Sequence, residues 1–469
     1  MIWAKIKGEI ADKLQAIVGN ALVLTEREAI LDYLVDETPL SVRPSPVEDV
    51  VVVKPATVQE TADVMKLANE CRIPVYPRGG GTGLAGGCIP TRSGIVLSLE
   101  RLNRVIEVDK ENLMVVVEAG VKLEDLFKVA DNADLLFPPH PGDEAAQVGG
   151  LVVCNAGGAR AIRYGIMRNY VKGMEVVLPT GEILNLGGKL LKDVAGYDLM
   201  HLIIGSHGTL GVVTKVTLRL YPKFRESATL ILPFQNRHQA IEVVPRILQE
   251  GILPSAIEYI DGDLMEQSAK QLGKEWPVGK SKALLIIIVT GSSKDEVYLS
   301  AEKIDRIAKE YNAVDTFVVE NWRKQSDILK IRSNIYFILK PSTLDFLDVT
   351  VPPANIAKLL DIVDEVARKY NVEIPVVGHA GDGNLHPAIL MKTRGEIEKG
   401  DLEKLKTEIY DATVSLGGTI TGEHGIGKIR VSNLVQYADK KAVDLMKRIK
   451  RAFDPNNILN PENIVNLKR

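Results

Sequence analysis

The amino-acid sequence predicts an α+β protein in which two sheet-containing parts are followed by a helical segment. Between residues 46 and 221, short apolar strands alternate with clusters of glycine. From residue 222 the glycine clusters stop until residue 378, while longer strands and helices follow one another. The predicted divisions are therefore an N-terminal helical segment (1–45), a glycine-rich part (46–221), a second α+β part (222–425) and a C-terminal helical segment (426–469).

The composition is that of a globular protein. The chain has 469 residues, 45% of them apolar, and a net charge of −3, which gives no reason to expect nucleic acid as a partner. Cys71, Cys88 and Cys154 form no CxxC, so we expect buried thiols and neither disulfides nor an iron–sulfur cluster of the chain's own. The longest apolar run, Ala283–Val289, is too short to span a membrane. We expect a cytoplasmic protein.

The first strands and helices are predicted from spacing and capping. Apolar side chains in residues 1–45 recur at helical intervals, and Val50–Val53 is typical of a short buried strand. Thr57 and Glu60 form a capping box that begins a helix, because their side chains satisfy free backbone N–H groups. Ile73–Tyr76 is a second strand. This strand–helix–strand unit leads into the first glycine cluster.

The first glycine cluster has six glycines among the nine residues from Gly79 to Gly87. Consecutive backbone N–H groups in such a run can point into one concavity, which suits a pyrophosphate. The cluster is not a Walker A loop, and the strand Ile95–Leu99 stands where a Rossmann motif needs a helix. A flexible loop is the alternative. Further glycine clusters alternate with strands as far as residue 211, which favours a large ligand laid across many loops.

The second part is predicted to be an antiparallel sheet with helices on one face. Apolar runs typical of strands occur at 229–232, 256–260, 283–290 and 346–351. Helical spacing occurs between them, at 239–249, 294–311 and 354–370.

Two glycine-flanked segments hold the residues with the clearest chemical pattern. Gly378–His386 and Gly422–Gly425 contain three of the seven histidines, together with a glutamate. Two imidazoles and one carboxylate bind a divalent metal and leave coordination positions open, as in catalytic sites. The predicted ligands of zinc, iron or manganese are His379, His386 and Glu423. His424 would then be free to transfer protons. The alternative is a pair of glycine turns whose histidines hydrogen-bond to the backbone.

Several separated motifs, in one order along the chain, resemble a known family. These motifs are Pro77–Gly83, Asp193–Leu199, Gly205–Thr214 and Arg451–Pro461. They are similar to the vanillyl-alcohol oxidase and p-cresol methylhydroxylase superfamily, and within it to the branch of glycolate oxidase D-subunits and D-lactate dehydrogenases. The resemblance implies a two-part FAD-binding domain over 46–221 and a substrate-covering cap domain over 222–425 that carries the metal site. The C-terminal helical segment would pack back on the FAD-binding domain.

The resemblance also implies how FAD is held. No histidine stands between Arg78 and Gly87, where some relatives attach the flavin, so we expect a noncovalent cofactor. Similar sequences usually carry a glutamate where His207 stands. This histidine either contacts the flavin or is a surface change, and we favour the surface. The implied FAD-binding residues are Pro77, Arg78, Gly79, Gly80, Gly81, Thr82, Gly83, Pro139, Gly142, Gly149, Gly150, Asn155, Gly157, Gly158, Tyr164, Gly211, Val212 and Val213.

The implied activity is oxidation of a D-2-hydroxy acid, with D-lactate or glycolate leading, to the 2-oxo acid by hydride transfer to FAD. His424 is the implied base. Arg332 is implied to fork onto the substrate carboxylate, with Lys340 as a second candidate. Asp382 and Asn384 either orient the metal ligands or form turns.

The electrons must leave the flavin through another molecule. The acceptor is an electron-transfer flavoprotein, an iron–sulfur subunit, a cytochrome, a quinone or oxygen, and the resemblance favours one of the first two, because relatives work beside such partners. Three alternatives differ in chemistry: a D-2-hydroxyglutarate dehydrogenase, a non-redox flavin enzyme of the ether-lipid synthase type, and a subunit that only relays electrons. The paired His379 and His386 argue against the second, and His424 argues against the third.

Overall fold

The first sheet of the computed structural model, which describes residues 6–391 and 399–467, has four strands. Its elements are α1 (Ala11–Val18), β1 (Val23–Leu24), α2 (Arg27–Ile30), β2 (Val50–Val53), α3 (Val58–Cys71), β3 (Val75–Arg78) and β4 (Gly94–Ser98). Thr57 begins α3 as predicted, because its Oγ1 accepts a hydrogen bond from Glu60 N at 3.1 Å. The strand order is β1-β2-β4-β3, and β4 pairs in parallel with both β2 and β3. The two strands of the predicted strand–helix–strand unit are therefore not neighbours.

The second sheet has five antiparallel strands in the order β5-β6-β10-β8-β9. The elements of this region are β5 (Val105–Asp109), β6 (Met114–Glu118), α4 (Leu123–Asn132), β7 (Leu135–Leu136), α5 (Val148–Cys154), α6 (Ala161–Tyr164), β8 (Val171–Val177), β9 (Ile183–Gly187), α7 (Leu199–Ile203), β10 (Val212–Arg219) and β11 (Tyr221–Pro222). Strands β7 and β11 pair separately. The glycine clusters lie in the connections of these two sheets, as the alternation in the sequence predicts.

The third sheet has eight strands, all paired antiparallel, in the order β15-β12-β14-β13-β18-β19-β16, with β17 also paired to β19. Its strands are β12 (Glu226–Phe234), β13 (Ala256–Asp261), β14 (Ala283–Gly291), β15 (Phe317–Val319), β16 (Thr343–Phe346), β17 (Val349–Thr350), β18 (Val376–His379) and β19 (Asn384–Leu390). The helices of this region are α8 (Arg237–Gln249), α9 (Leu264–Gln271), α10 (Lys294–Glu310), α11 (Trp322–Ser333), α12 (Ile335–Leu339), α13 (Ile356–Tyr370) and α14 (Lys399–Ser415).

Helices cover both faces of this third sheet, so the prediction of helices on one face is wrong. Leu285 and Ile287 of β14 pack with residues of α8, α10 and α13. Leu284 and Ile286 point to the other face and pack with residues of α9, α11 and α12. A strand that is buried on one face alternates apolar with polar residues. The unbroken apolar run of β14 therefore indicates a strand that is buried on both faces.

The C-terminal segment, with α15 (Val431–Tyr437) and α16 (Lys440–Phe453), returns to the first sheet, as predicted. Ile458 and Leu459 lie in the hydrophobic core of that sheet, and Leu459 pairs with Val75. Lys450 Nζ donates hydrogen bonds to Thr209 O at 2.8 Å and to Leu459 O at 2.7 Å. In the described ranges, every helix is too short or too polar to cross a bilayer. The four predicted domain boundaries stay predictions.

Candidate active site

A cavity of about 320 Å³ lies between the glycine loops and strands β18 and β19. The predicted FAD-binding residues that line it are Pro77, Gly79, Gly80, Gly81, Thr82, Gly83, Gly142, Gly150 and Gly157. A smaller neighbouring cavity of about 40 Å³ is lined by Arg78, Gly149, Gly211, Val212 and Val213. The predicted residues that line neither cavity are Pro139, Asn155, Gly158 and Tyr164. The structure thus brings most of the predicted FAD-binding residues to two adjoining cavities.

The wall of the larger cavity is bare main chain at its glycine loop. A Cβ on Gly80 would lie 2.9 Å from the carbonyl oxygen of Ala145, and Gly81 has a φ of +72°. The Arg78 guanidinium turns away and donates to the carbonyl oxygens of Val35 at 2.6 Å and Asp32 at 2.8 Å. This loop therefore offers backbone N–H groups and no cationic side chain, which fits a dinucleotide pyrophosphate held by main chain.

The predicted metal ligands come together at one end of the larger cavity. His379 and His386 are carried by the β18–β19 hairpin, which brings both rings toward Gly422–Gly425. Glu423 Oε1 lies 3.4 Å from His379 Nε2 and 3.3 Å from His386 Nε2. The three ligand atoms lie within 4.8 Å of one another. This donor set and spacing fit a divalent cation with open coordination positions.

Glu258, at the centre of β13, orients two of the predicted site residues. It is fully buried, and its Oε1 lies 2.6 Å from His379 Nδ1, which leaves Nε2 to face Glu423. Its Oε2 lies 2.6 Å from Arg332 Nε, an ion pair whose N–H is not aligned for a hydrogen bond. Burial opposes the charged form of His379, but Glu258 and Glu423 outweigh it and raise the pKa of His379 well above its ordinary value.

Asp348 holds the segment that carries Glu423 and His424. Its Oδ2 accepts hydrogen bonds from Thr421 Oγ1 and from the backbone N–H groups of Gly422, Glu423 and His424, at 2.6 to 2.9 Å. Its Oδ1 accepts one from Asn384 Nδ2 at 2.9 Å. Asp348 also forms a second possible metal cluster with His386 and His424. Because both oxygens of Asp348 already accept hydrogen bonds, the set containing Glu423 is the better metal site.

His424 stands beside this metal cluster. Its ring stacks on that of His386, with centroids 5.0 Å apart and planes 8° apart, and its Nε2 lies 4.0 Å from Glu423 Oε1. Its buried Nδ1 has no hydrogen-bond partner in the described part of the chain. Burial lowers the pKa of His424, although Asp348 opposes the shift, so the neutral imidazole is favoured. A neutral imidazole beside a metal site is able to accept a proton.

Arg332 reaches the same cavity from the last turn of α11. Its Nη2 is buried and has no hydrogen-bond partner among the described residues. Lys340 does not line the cavity and instead pairs with Glu37. Of the two predicted anchors for a carboxylate, the structure brings only Arg332 to the metal cluster.

Comparisons with known proteins identify the family of this chain. The model of the FAD-linked oxidase C-terminal domain matches residues 223–464, and an FAD-binding domain model matches residues 50–187. The chain belongs to the FAD-linked oxidase family. It is 42% identical to a D-lactate dehydrogenase of Archaeoglobus fulgidus, over 92% of this chain and 95% of that protein. It is 38% identical to glycolate oxidase subunit GlcD of Bacillus subtilis, over 87% of each chain.

The fold prediction for this FAD-linked oxidase is confirmed by a solved structure. The structure of p-cresol methylhydroxylase with substrate bound superposes with a TM-score of 0.77 at 18% identity, over 98% of this chain and 97% of that chain. At this identity the likeness shows the fold alone. The family models and the relatives establish an FAD-linked oxidoreductase, and the superposition shows that its fold is that of p-cresol methylhydroxylase.

Two expectations about single residues of this oxidase are wrong. His207 is not a surface side chain: it lines both cavities, and its Nε2 would lie 2.1 Å from a Cβ on Gly425. Burial lowers the pKa of His207 to about 4. Cys71 is exposed, whereas Cys88 and Cys154 are half-buried and line the larger cavity.

Glu258 and Asp348 are two site residues of this oxidase that are not among those predicted from the sequence. Each is an acidic residue inside an apolar stretch, Ala256–Ile260 and Phe346–Val351, and each is fully buried. A buried charge is costly unless it is paired, so an acid within a strand-like run is itself a signal of a site. Asn384, predicted to orient a metal ligand or form a turn, bonds to Asp348. Asp382 accepts a hydrogen bond from Asn384 N at 3.1 Å, which is the turn alternative.

Replacing Asp348 by asparagine is expected to lower the free energy of unfolding by about 3 kcal/mol, measured by urea denaturation of the holoenzyme. The substitution removes the charge that four donors share and places an amide NH₂ among them. Asp361→Asn is the matched control, because that exposed carboxylate pairs with His238 at the surface and contributes less than about 1 kcal/mol. Equal losses in the two variants would contradict the role of Asp348.

Proposed function

We propose that this FAD-linked oxidase is a metal-dependent dehydrogenase that oxidises a D-2-hydroxy acid, with D-lactate or glycolate leading, to the 2-oxo acid. The observation that carries the proposal is the cluster of His379, His386 and Glu423, in one cavity with the unpartnered Nη2 of Arg332. The printed activities of the two relatives, D-lactate dehydrogenase and glycolate oxidase, support the same substrate class.

In this proposal His379, His386 and Glu423 hold zinc, iron or manganese. The cation, when bound, would acidify the substrate hydroxyl as a Lewis acid. Glu258 fixes the ring of His379, and Asp348 fixes the backbone that carries Glu423. The ligand positions are thus set by two buried carboxylates that do not themselves need to touch the ion.

The remaining steps are assigned to two side chains. The Arg332 guanidinium binds the substrate carboxylate through Nη2, while Glu258 holds its Nε side. His424 accepts the hydroxyl proton at Nε2, the ring nitrogen on the side of Glu423. FAD, which the glycine loops would hold, would supply the acceptor for the hydride on the carbon that bears this hydroxyl. Apolar side chains that include Leu329 and Val377 line the same cavity as Arg332.

The charge of the cavity favours a substrate with one carboxylate. Among the described residues that line it, Arg332 is the only arginine or lysine. Acids outside the metal cluster also line it, including Asp143 and the Glu37 that pairs with Lys340. A second carboxylate, as in D-2-hydroxyglutarate, would find no partner there and would meet like charge. The monocarboxylates D-lactate and glycolate are therefore favoured over the dicarboxylate D-2-hydroxyglutarate as substrates.

Anaerobic reduction of the bound flavin tests the proposal. D-lactate and glycolate are expected to bleach the visible flavin absorbance, whereas L-lactate is not, and the bleaching sample is expected to contain one of the three metals. D-2-hydroxyglutarate is expected to act at least about a hundredfold more slowly, since an unpaired charge costs about 3 kcal/mol or more. If no hydroxy acid bleaches the flavin, the proposed activity is wrong. If D-2-hydroxyglutarate acts fastest, only the charge argument is wrong.

We further propose that the reduced flavin passes its electrons to a partner protein, either an electron-transfer flavoprotein or an iron–sulfur subunit, in the cytoplasm. The three cysteines are free and do not cluster, which supports an acceptor outside this chain. The enzyme is first reduced by substrate and then mixed with each class of acceptor. The rate of flavin reoxidation, monitored by absorbance, is compared between the two acceptors.

A further inference from the structure

Asp36 is a buried carboxylate for which the proposed reaction has no use. It lies in the connection between α2 and β2, is only 5% exposed, and lines the same cavity as Arg332 and His424. Its Oδ1 accepts a hydrogen bond from Thr38 N at 3.0 Å. Its Oδ2 is enclosed and has no hydrogen-bond partner in the described ranges. A buried carboxylate oxygen without a donor is costly, so it marks a place where a ligand supplies one.

The strap Asp36–Thr38 is held in place from both sides of the cavity. On the side of the glycine loop, Glu37 N donates to Gly83 O at 3.0 Å, and Gly86 N donates to Thr38 Oγ1 at 2.7 Å. On the cap side, the Tyr336 hydroxyl donates to Glu37 O at 2.5 Å. The backbone next to Asp36 is therefore fixed between the glycine loop and the cap.

The cations nearest to Asp36 do not satisfy this oxygen. Arg43 donates to the backbone carbonyls of Asp36 and Thr38, at 3.1 and 2.9 Å, and Arg78 donates to the carbonyl of Val35. Burial raises the pKa of the Asp36 carboxyl, although Thr38 and the two arginines oppose the shift. Both guanidinium groups make the electrostatic potential at Asp36 more positive, but their N–H groups donate to other oxygens. Asp36 Oδ2 lies beside Gly83, another residue of the cavity wall, 3.8 Å from where a Cβ on that glycine would stand.

We propose that Asp36 binds the flavin half of FAD by accepting a hydrogen bond on Oδ2 from the flavin imide N–H or from a ribityl hydroxyl. The cavity of Asp36 also holds Arg332 and His424, and hydride transfer requires the flavin ring beside the substrate that these residues bind. The inference rests on FAD binding in this cavity and not on which hydroxy acid is oxidised.

Loss of FAD from the purified holoenzyme tests this role. Asp36→Asn keeps the Oδ1 contact to Thr38 N but replaces the open acceptor by an NH₂ donor, so the strap is preserved. A hydrogen bond to a charged acceptor is strong, and we expect FAD release during diafiltration to become at least about tenfold faster. Excess FAD is expected to restore the melting temperature of the variant to the wild-type value, because the defect lies in binding.

Asp49→Asn is the matched control. Asp49 lies in the same connection, does not line the cavity, and already accepts a hydrogen bond from the Ser93 hydroxyl. Its FAD release is expected to stay within about twofold of the wild type. Release from Asp36→Asn at the wild-type rate, or a melting temperature that excess FAD does not restore, would overturn the proposal. Neither measurement uses a hydroxy acid, so a wrong substrate assignment does not affect the outcome.

Discussion

Replacing His424 by alanine is expected to slow anaerobic flavin reduction by D-lactate about a thousandfold while FAD and metal contents stay unchanged. A positioned base contributes roughly 10²–10⁴-fold to such a step. The His424 ring stacks on His386 and reaches toward Glu423, but its loop is held through backbone N–H groups by Asp348, so the variant keeps its fold. The rate is measured by stopped-flow absorbance, with metal analysis of the same sample.

His201→Ala is the control for this variant. His201 is an exposed histidine paired with Asp198, outside both cavities, and its loss is expected to leave the reduction rate unchanged. Full activity of His424→Ala would remove His424 from the role of base. Loss of the metal together with the activity would instead make His424 a ligand, in the set with Asp348 and His386.

Replacing Glu423 by glutamine is expected to weaken metal binding by more than about a hundredfold and to abolish reduction by substrate. The carboxylate is the only anionic member of the cluster, and even indirect contacts to a metal change its affinity roughly 10–100-fold. FAD absorbance is expected to remain, because the glycine loops that line the cavity are unchanged. Metal content after dialysis, measured with the rate, gives both results on one sample.

Glu302→Gln is the control for this second variant. Glu302 is exposed on α10 and does not line the cavity. A Glu423→Gln protein that retains stoichiometric metal would show that the cluster is not the metal site. One that loses metal yet is still reduced by D-lactate would show that the reaction does not need the ion.

The proximity of His379, His386 and Glu423 could be predicted from sequence because each half of this cluster is local. His379 and His386 are fixed by a hairpin with a tight glycine turn, and Glu423 sits in a second short glycine segment. Residue types and spacing then suffice to propose the ligands. Strands β12, β13 and β14 of the third sheet could be predicted for the same reason, since their apolar runs are continuous in sequence. The strand predicted at 346–351 is divided in the structure between β16 and β17.

The supporting carboxylates could not be assigned in this way. Glu258 is separated from His379 by 121 residues, and Asp348 from His424 by 76, so no local pattern links the partners. The position of His207 likewise depends on its packing against Gly425, which only the assembled fold supplies. The resemblance implies a role for Arg332. No sequence pattern indicates that Glu258 contacts both Arg332 and the predicted ligand His379.

The return of Ile458 and Leu459 to the first sheet affects when this sheet can fold during synthesis. These two side chains complete the hydrophobic core beneath the glycine loop, and Lys450 bonds that segment to Thr209. Translation delivers the chain from its N-terminus. The hydrophobic core of the first sheet therefore cannot be completed during synthesis until residues 458 and 459 have left the ribosome.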